Sequence, residues 1–256
     1  MAAAEATTVD AFLGGRLTIR QPARGYRAST DAVFLAAAVP ARSGDSVLDL
    51  GAGTGVVSLC LGWRVPGLDL HALELQPEYA ALARENAERN GISLSVVSGD
   101  VGAMPRSLTG RVFDHVITNP PYFLAGSAPP PGNVGKRTAL AESVPLEDWL
   151  AAGLRRLRPG GILTLIHRAE RFGALVATLG GRAGGARAGS LSLLPVCPRA
   201  NRPAGRFLLA CRKGSKSPDR LLPPLVVHLG DRHERDGDSH TPEARRVLRD
   251  GEALDL

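Results

Sequence analysis

The chain has 256 residues, 44% of them apolar and 22% charged, a balance that excludes a disordered chain and reads as one soluble domain with appendages. Its 31 basic and 25 acidic residues give a net charge of +6, unevenly placed: residues 1–40 hold four basic and three acidic groups, residues 41–130 six and nine, and residues 131–256 twenty-one and thirteen. No apolar run reaches the roughly 18 residues of a membrane helix, the alanine-rich start lacks a signal-peptide pattern, and Cys60, Cys197 and Cys211 form no CxxC pair, so a cytoplasmic protein with free thiols is expected, without a disulfide framework or zinc site.

Residues 1–40 form an N-terminal segment in which Arg16, Arg20, Arg24 and Arg27 recur. From Ser46 onward, apolar runs alternate with helical patterns. Val47–Leu50 predicts a short buried strand, followed by a glycine-rich turn and a helix over Thr54–Arg64. Leu68–Leu73 predicts the next strand, closed by Glu74. Pro77–Asn90 predicts a helix, with proline in its first turn and Gly91 as its C-terminal stop. Leu94–Val97 and Phe113–Thr118 predict two more strands, with Asp100 just after the first of them. Leu146–Leu157 predicts a helix, Pro159-Gly160-Gly161 a turn, Ile162–Ile166 a strand and Arg168–Gly180 a helix. Leu191–Val196 and Phe207–Cys211 predict a closing pair of strands. Residues 231–256 predict a charged tail with a short helix over Thr241–Arg249. Leu124–Gly135, with Pro129–Pro131, and Gly180–Gly189 predict loops.

Strands alternating with helices predict an α/β fold with a mostly parallel sheet over residues 41–230. The closing pair lacks an intervening helix and predicts an antiparallel edge. Ligands of such sheets sit beyond the carboxyl ends of the strands. Asp49, Glu74, Asp100 and Asn119 all fall there.

Val47-Leu48-Asp49-Leu50-Gly51-Ala52-Gly53-Thr54-Gly55 is a strand, an acid and a glycine turn leading into a helix. A dinucleotide loop of the GxGxxG type needs its last glycine at position 56, where this chain has Val56. Asp49 would also repel a pyrophosphate. Both features favour a ligand with a positive end, such as an amine or a sulfonium; the alternative is a plain tight turn. Glu74 is placed to accept both hydroxyls of a ribose, and Asp100 to accept from an adenine amine. Asn119-Pro120-Pro121-Tyr122 follows the fourth strand. Its two prolines remove two N–H donors. The asparagine oxygen and a proline carbonyl remain as acceptors for an –NH2 group, with a flat ring beside them.

These motifs resemble those of class I S-adenosylmethionine-dependent methyltransferases of the amino-methylating branch. Gly25-Tyr26-Arg27-Ala28-Ser29-Thr30-Asp31-Ala32-Val33-Phe34-Leu35-Ala36 and Asn201–Cys211 further resemble the bacterial tRNA (adenine-N6)-methyltransferases that act on valine tRNA beside the anticodon. The likeness spans roughly residues 12–230. It implies a Rossmann-like fold, with a mostly parallel seven-stranded sheet, an antiparallel edge and helices on both faces. It implies that residues 1–40 pack on the cofactor site. S-adenosylmethionine would be held by Asp49, Gly51, Gly53 and Gly55 at its methionine part, by Glu74 at its ribose and by Asp100 at its adenine. Thr30, Asp31 and Asn119 would lie near the methionine end. Asn119, Pro120 and Tyr122 would be catalytic, positioning and stacking on the acceptor.

The resemblance implies methylation of an adenine N6 amine in RNA, with tRNA favoured. The NPPY tetrapeptide is also shared by enzymes that methylate DNA adenine, rRNA guanine and protein glutamine, which leaves a glutamine amide or another base as alternatives. A non-catalytic binding module of the same fold is a remoter one. The basic excess after residue 130 suits a nucleic-acid partner, with Lys136, Arg137, Arg199, Arg202, Arg206, Lys213 and Lys216 as candidate phosphate contacts, although an arginine-rich codon usage would give the same composition. The six histidines show no metal-ligand spacing. Either a monomer or a homodimer is compatible with the sequence.

Overall fold

The computed structural model describes residues 6–121, 144–181, 188–232 and 239–256. It begins with an element that the apolar runs do not predict. Leu17, Ile19 and Gln21 are buried at every second position, the period of a half-buried strand. They belong to an antiparallel hairpin of β1 (Thr7–Phe12) and β2 (Leu17–Pro22), and helix α1 (Thr30–Ala37) follows.

The central strands are β3 (Ser46–Leu50), β4 (Asp69–Glu74), β5 (Ser95–Ser98), β6 (Phe113–Thr118) and β7 (Leu157–Arg168). They run parallel in the order β5-β4-β3-β6-β7. β8 (Ala188–Cys197) and β9 (Arg206–Lys213) complete the sheet, with β9 antiparallel to both β7 and β8. The expected parallel sheet with an antiparallel edge is therefore present. Two further strands of two residues each, β10 (Arg220–Leu221) and β11 (Leu225–Val226), extend it along β8.

Completely buried Val47, Leu48, Leu50, Val116 and Ile117 leave the central strands no wettable face, so helices must cover both sides. On one side pack α1, α2 (Val56–Arg64) and α3 (Pro77–Arg89). On the other pack α4 (Arg106–Thr109), α5 (Leu146–Arg156) and α6 (Phe172–Gly180).

One expectation changes. Pro159-Gly160-Gly161 does not end a turn before a new strand. β7 starts at Leu157, directly after α5, and bulges: its pairing with β6 jumps from Phe113↔Leu157 to His115↔Ile162. Gly160 takes a φ of +76° there, which glycine allows without a Cβ clash. The short C-terminal helix is present, and it packs on the core. Helix α7 (Pro242–Arg245) runs into a π turn over Arg246–Asp250. Val247, Leu248 and Leu254 are buried in the same core as α1, and the Leu254 amide donates to Ala37 at 2.9 Å. The charges alternate around an inward apolar stripe, so counting them along the chain hid it. Gly180–Gly189 lies mostly outside the described residues.

Candidate active site

The glycine loop owes its shape to three left-handed residues. Gly51, Gly53 and Gly55 have φ values of +72°, +56° and +84°, and β-carbons there would be strained. The Gly51 and Ala52 amides donate to Leu73 of β4 at 2.8 and 3.1 Å, which pins the loop across the strand ends. Each glycine also meets a different neighbour. A Cβ on Gly51 would lie 2.9 Å from the Trp149 ring, and one on Gly53 would lie 3.5 Å from the Tyr26 ring. A Cβ on Gly55 would press on Ala83 of α3 at 3.3 Å. Gly55 thus serves the packing of α2 on α3, while Gly51 and Gly53 face the rings that border the site.

Glu74 ends β4 with 6% of its surface exposed. One carboxylate oxygen accepts from the Gly53 amide at 2.8 Å and the other from Gln76 at 2.9 Å. Burial raises its pKa, and these two bonds oppose the rise. Asp49 lies deeper, 1% exposed, and accepts from the Ser58 hydroxyl of α2 at 2.8 Å. Burial, with the nearby Glu74 charge, pushes its pKa up to about 7. Asp49 therefore lies beneath the loop rather than on its surface. Asp100, half-buried, accepts from the Gly102 amide through Oδ1 at 2.8 Å.

This donor set suits the cofactor implied by the sequence. A carboxylate offers about four lone-pair positions. Glu74 has one on each oxygen engaged by the backbone, leaving one per oxygen for two vicinal hydroxyls. The Oδ2 of Asp100 remains for an amine. Buried negative charge below the loop suits a cationic ligand.

β6 delivers Asn119 beside these carboxylates. The Thr118 hydroxyl donates to Leu50 at 2.8 Å and accepts from the Trp149 indole at 2.9 Å, fixing the strand end against α5. The Asn119 amide nitrogen donates to the Tyr26 hydroxyl at 3.3 Å. Its Oδ1 is buried and has no hydrogen-bond partner among the described residues. The surrounding protein, followed by the charges of Asp31 and Asp49, pushes the Tyr26 pKa to about 12, so its hydroxyl stays neutral. Tyr79 of α3 donates to the Tyr26 carbonyl at 3.3 Å. Pro120 is buried and Pro121 exposed. Tyr122, the loop Leu124–Gly135, Lys136 and Arg137 lie outside the described residues.

Thr30 and Asp31 open α1 on the rim of the site, Thr30 exposed and Asp31 half-buried. Asp31 pairs with Arg206 of β9 at 3.0 Å, and its charge is felt at the Tyr26 hydroxyl. Asn86 of α3 joins the N-terminal hairpin to the loop. Completely buried, it exchanges hydrogen bonds with the Arg20 backbone at 2.7 and 3.0 Å and donates to the Thr54 carbonyl at 3.0 Å.

Asp49, Gly51, Gly53, Glu74 and Asn119 thus gather at one end of the sheet, with Asp100 at the β5 side. Sequence reasoning passed over Tyr26, Ser58, Asn86 and Trp149. Tyr26 stands inside the Gly25–Ala36 segment already singled out, and its aromatic ring was the available signal. The N-terminal arginines are largely structural. Arg16 stacks on Trp63, Arg20 pairs with Glu85, and Arg27 pairs with Asp10 at 2.6 Å, while Arg24 is exposed without an ion pair among the described residues. Lys213 donates to the Leu157 carbonyl at 2.7 Å, away from the site edge. Among the described residues no three His, Cys, Asp or Glu side chains group to hold a metal.

A family model for the methyltransferase small domain matches residues 28–172. The tRNA1(Val) (adenine(37)-N6)-methyltransferase of Dyadobacter fermentans is 27% identical over 240 residues, covering 91% of this chain and 93% of that protein. The protein of the same name in Porphyromonas gingivalis is 31% identical over 171 residues, 64% of this chain and 67% of that one. Among solved structures, a predicted O-methyltransferase from Agrobacterium tumefaciens superposes with a TM-score of 0.69 at 26% identity, over 88% of this chain and 99% of that one. A T. thermophilus 16S rRNA N2 methyltransferase in complex with AdoMet and guanosine shares the fold, with a TM-score of 0.52 at 19% identity over 81% of this chain and 50% of that one.

Proposed function

The chain belongs to the methyltransferase small-domain family, and on that premise we propose that it methylates the N6 amine of an adenine in RNA, in tRNA by preference, using S-adenosylmethionine. The observation that carries this reading is the buried Oδ1 of Asn119, unpartnered among the described residues, whose amide nitrogen is already tied to Tyr26. An unsatisfied buried acceptor is costly, of order 1–3 kcal/mol, and a substrate N–H donor relieves it.

The cofactor supplies a methyl group on a sulfonium, an electrophile that needs no further activation. The residues have the complementary task. An adenine amine is a poor nucleophile because its lone pair is delocalised into the ring. Asn119 Oδ1 and the Pro120 carbonyl accept its two N–H bonds and hold the nitrogen out of conjugation. Tyr122 supports the ring face. Holding the two reactants in place supplies most of the help, with effective molarities of about 10⁵–10⁸ M in model reactions. The same carbonyls stabilise the positive charge that develops on nitrogen. Glu74 takes the cofactor ribose, Asp100 its adenine, and Thr30, Asp31, Asp49, Gly51 and Gly53 surround its methionine end, with Gly55 supporting the loop through α3.

Two acceptors suit an –NH2 group with two protons better than a hydroxyl with one, which favours nitrogen over the oxygen acceptor named for the Agrobacterium neighbour. The names of the Dyadobacter and Porphyromonas relatives support adenine in tRNA. In this reading residues 41–230 are the catalytic domain, residues 1–40 cover the cofactor side, and within residues 231–256 the stretch from Pro242 buttresses α1. With tRNA as substrate, the place of action is the cytoplasm. No helix among the described residues is long and apolar enough to cross a membrane.

The test is to incubate the protein with labelled cofactor and, separately, tRNA, rRNA, DNA and protein. Label in N6-methyladenosine of tRNA is expected. Label confined to protein overturns the reading in favour of a glutamine amide. Asn119→Ala should abolish transfer and leave cofactor binding measurable.

A further inference from the structure

We propose that Arg168, Arg171, Arg199, Arg202 and Arg206 form a phosphate-binding surface that holds the RNA strand beside the methylated base. The proposal rests on the RNA reading above and adds where the strand runs.

The sheet order places the surface. β6, which delivers Asn119, lies between two unlike halves. On one side β3, β4 and β5 lead to Asp49, Glu74 and Asp100. On the other side β7 runs parallel to β6 and ends at Arg168, whose register partner is Arg206 at the start of β9. Val196, near the end of β8, faces Arg206 from the other side. Both arginines therefore stand at the same sheet edge as Asn119. The turn after β7 carries Arg171 and is tied to the β8–β9 connection by the Ala169 amide donating to Gly205 at 3.2 Å. That connection carries Arg199 and Arg202, joined by an amide-to-carbonyl bond of 3.1 Å. With strands about 4.8 Å apart, β7, β9 and β8 lie roughly 5, 10 and 14 Å from the strand of Asn119. A nucleotide reaching Asn119 brings its neighbouring phosphates over this row.

The charges remain available. Arg171 and Arg202 have no ion pair among the described residues, and Arg202 is exposed. Arg199 caps the Leu229 and Gly230 carbonyls, which leaves its positive charge uncompensated by a carboxylate there. Arg168 and Arg206 are paired with Glu170 and Asp31, so they contribute less. The combined field is felt at buried His167, held down to about 4 by burial and then by Arg171, Arg206 and Arg168. Phe172, 43% exposed beside Arg171 and edge-on to Phe207 at 5.8 Å, adds an aromatic face of the kind on which unpaired bases stack.

The opposite end of the sheet makes a useful contrast. A cavity of about 490 Å³ there is also lined by arginines. Arg158 is neutralised by Asp114, Arg212 bonds the Gly160 carbonyl at 2.7 Å and Arg220 the Ser192 hydroxyl at 3.0 Å. Asp45 and Asp255 line the same cavity. The basic excess of the C-terminal half is thus divided between the two ends of the sheet, and the part that lies beside the candidate site is the row at the Asn119 edge.

The experiment compares the full chain with two double variants of equal net charge, Arg171→Gln/Arg202→Gln and Arg212→Gln/Arg220→Gln. Unmodified tRNA binding is measured between 50 and 200 mM salt, alongside methylation rates and cofactor affinity. For the first variant, tRNA affinity should fall about tenfold and the slope of log K against log salt should shrink by about 2, one for each lost phosphate contact. kcat/KM for tRNA should fall with it, while kcat at saturating tRNA and cofactor affinity hold. The second variant should behave as wild type toward tRNA. If wild type methylates tRNA and the first variant keeps its affinity and slope, or both variants lose equally, the surface is overturned and the RNA reading stands. If wild type labels protein and no RNA, the reading falls and takes the surface with it.

Discussion

The Asn119 side-chain nitrogen donates to the Tyr26 hydroxyl at 3.3 Å, and this contact decides which end of the amide is left to face the proposed acceptor. With nitrogen committed to Tyr26, oxygen is left buried and without a partner among the described residues. A flipped amide would offer donors to a substrate that itself has only N–H bonds to give, which is repulsive. Tyr26→Phe keeps the ring over Gly53 and removes the anchor. kcat should fall about tenfold, the cost of one hydrogen bond of order 1 kcal/mol, with cofactor affinity within about twofold as a check that the ring still packs. An unchanged kcat would remove Tyr26 from the machinery.

Asp49 is buried as an acid whose pKa rises from 3.8 to about 7. Between those values the folded state holds a proton that the unfolded chain has lost. Its contribution is therefore complete below about pH 4 and is lost as pH rises through about 7, up to about 4 kcal/mol in all. His167, lowered from 6.5 to about 4, works in the opposite sense, adding stability as pH rises through that window. The difference between wild type and Asp49→Asn isolates the carboxylate. In denaturant titrations at pH 5 and pH 8 without cofactor, Asp49→Asn should gain on wild type as pH rises. Its cofactor affinity at pH 8 should be lower, because the buried negative charge is gone.

Gly51→Ala should be harsher than Gly53→Ala. Both positions are left-handed, but the added carbon meets the Trp149 ring at 2.9 Å in the first case and the Tyr26 ring at an ordinary 3.5 Å in the second. Displacing Trp149 also breaks its bond to Thr118. A loss of about 2–3 kcal/mol is expected for Gly51→Ala and about 1 kcal/mol for Gly53→Ala. Thermal melts rank the two, and a changed tryptophan emission spectrum in Gly51→Ala alone would report the ring movement.

Leu254→Ala tests the C-terminal packing. The side chain is 8% exposed and its backbone amide bonds Ala37 of α1. A loss of about 2 kcal/mol is expected, against less than about 0.5 kcal/mol for exposed Glu252→Ala. Equal, negligible effects in urea titrations would return this segment to the status of a tail.

Much of the fold was legible because its signals are local. The strand Phe113–Thr118 was bounded correctly from its apolar run, and the helix beginning at Pro77 from proline and Gly91. The hairpin of residues 7–22 carries a weak signal, because β1 is largely exposed and the inward row of β2 has only Leu17 and Ile19 as apolar members before Gln21. The C-terminal core contact was missed because its apolar residues are spaced among charges. The β7 bulge looks like a turn in sequence because proline and glycine mark both.

By itself the sequence determined the α/β order, the glycine loop and the carboxylates at the strand ends. Each is a property of a short stretch whose period or turn chemistry is written in adjacent residues. Only the tertiary structure decided that Asp49 lies under the loop on Ser58, that Trp149 closes over Gly51, and that Tyr26 takes the Asn119 amide across 93 positions of chain. It also divided the arginines of the basic half between the two ends of the sheet. Hydrogen-bond reach and desolvation depend on neighbours in space, and chain spacing carries no mark of them.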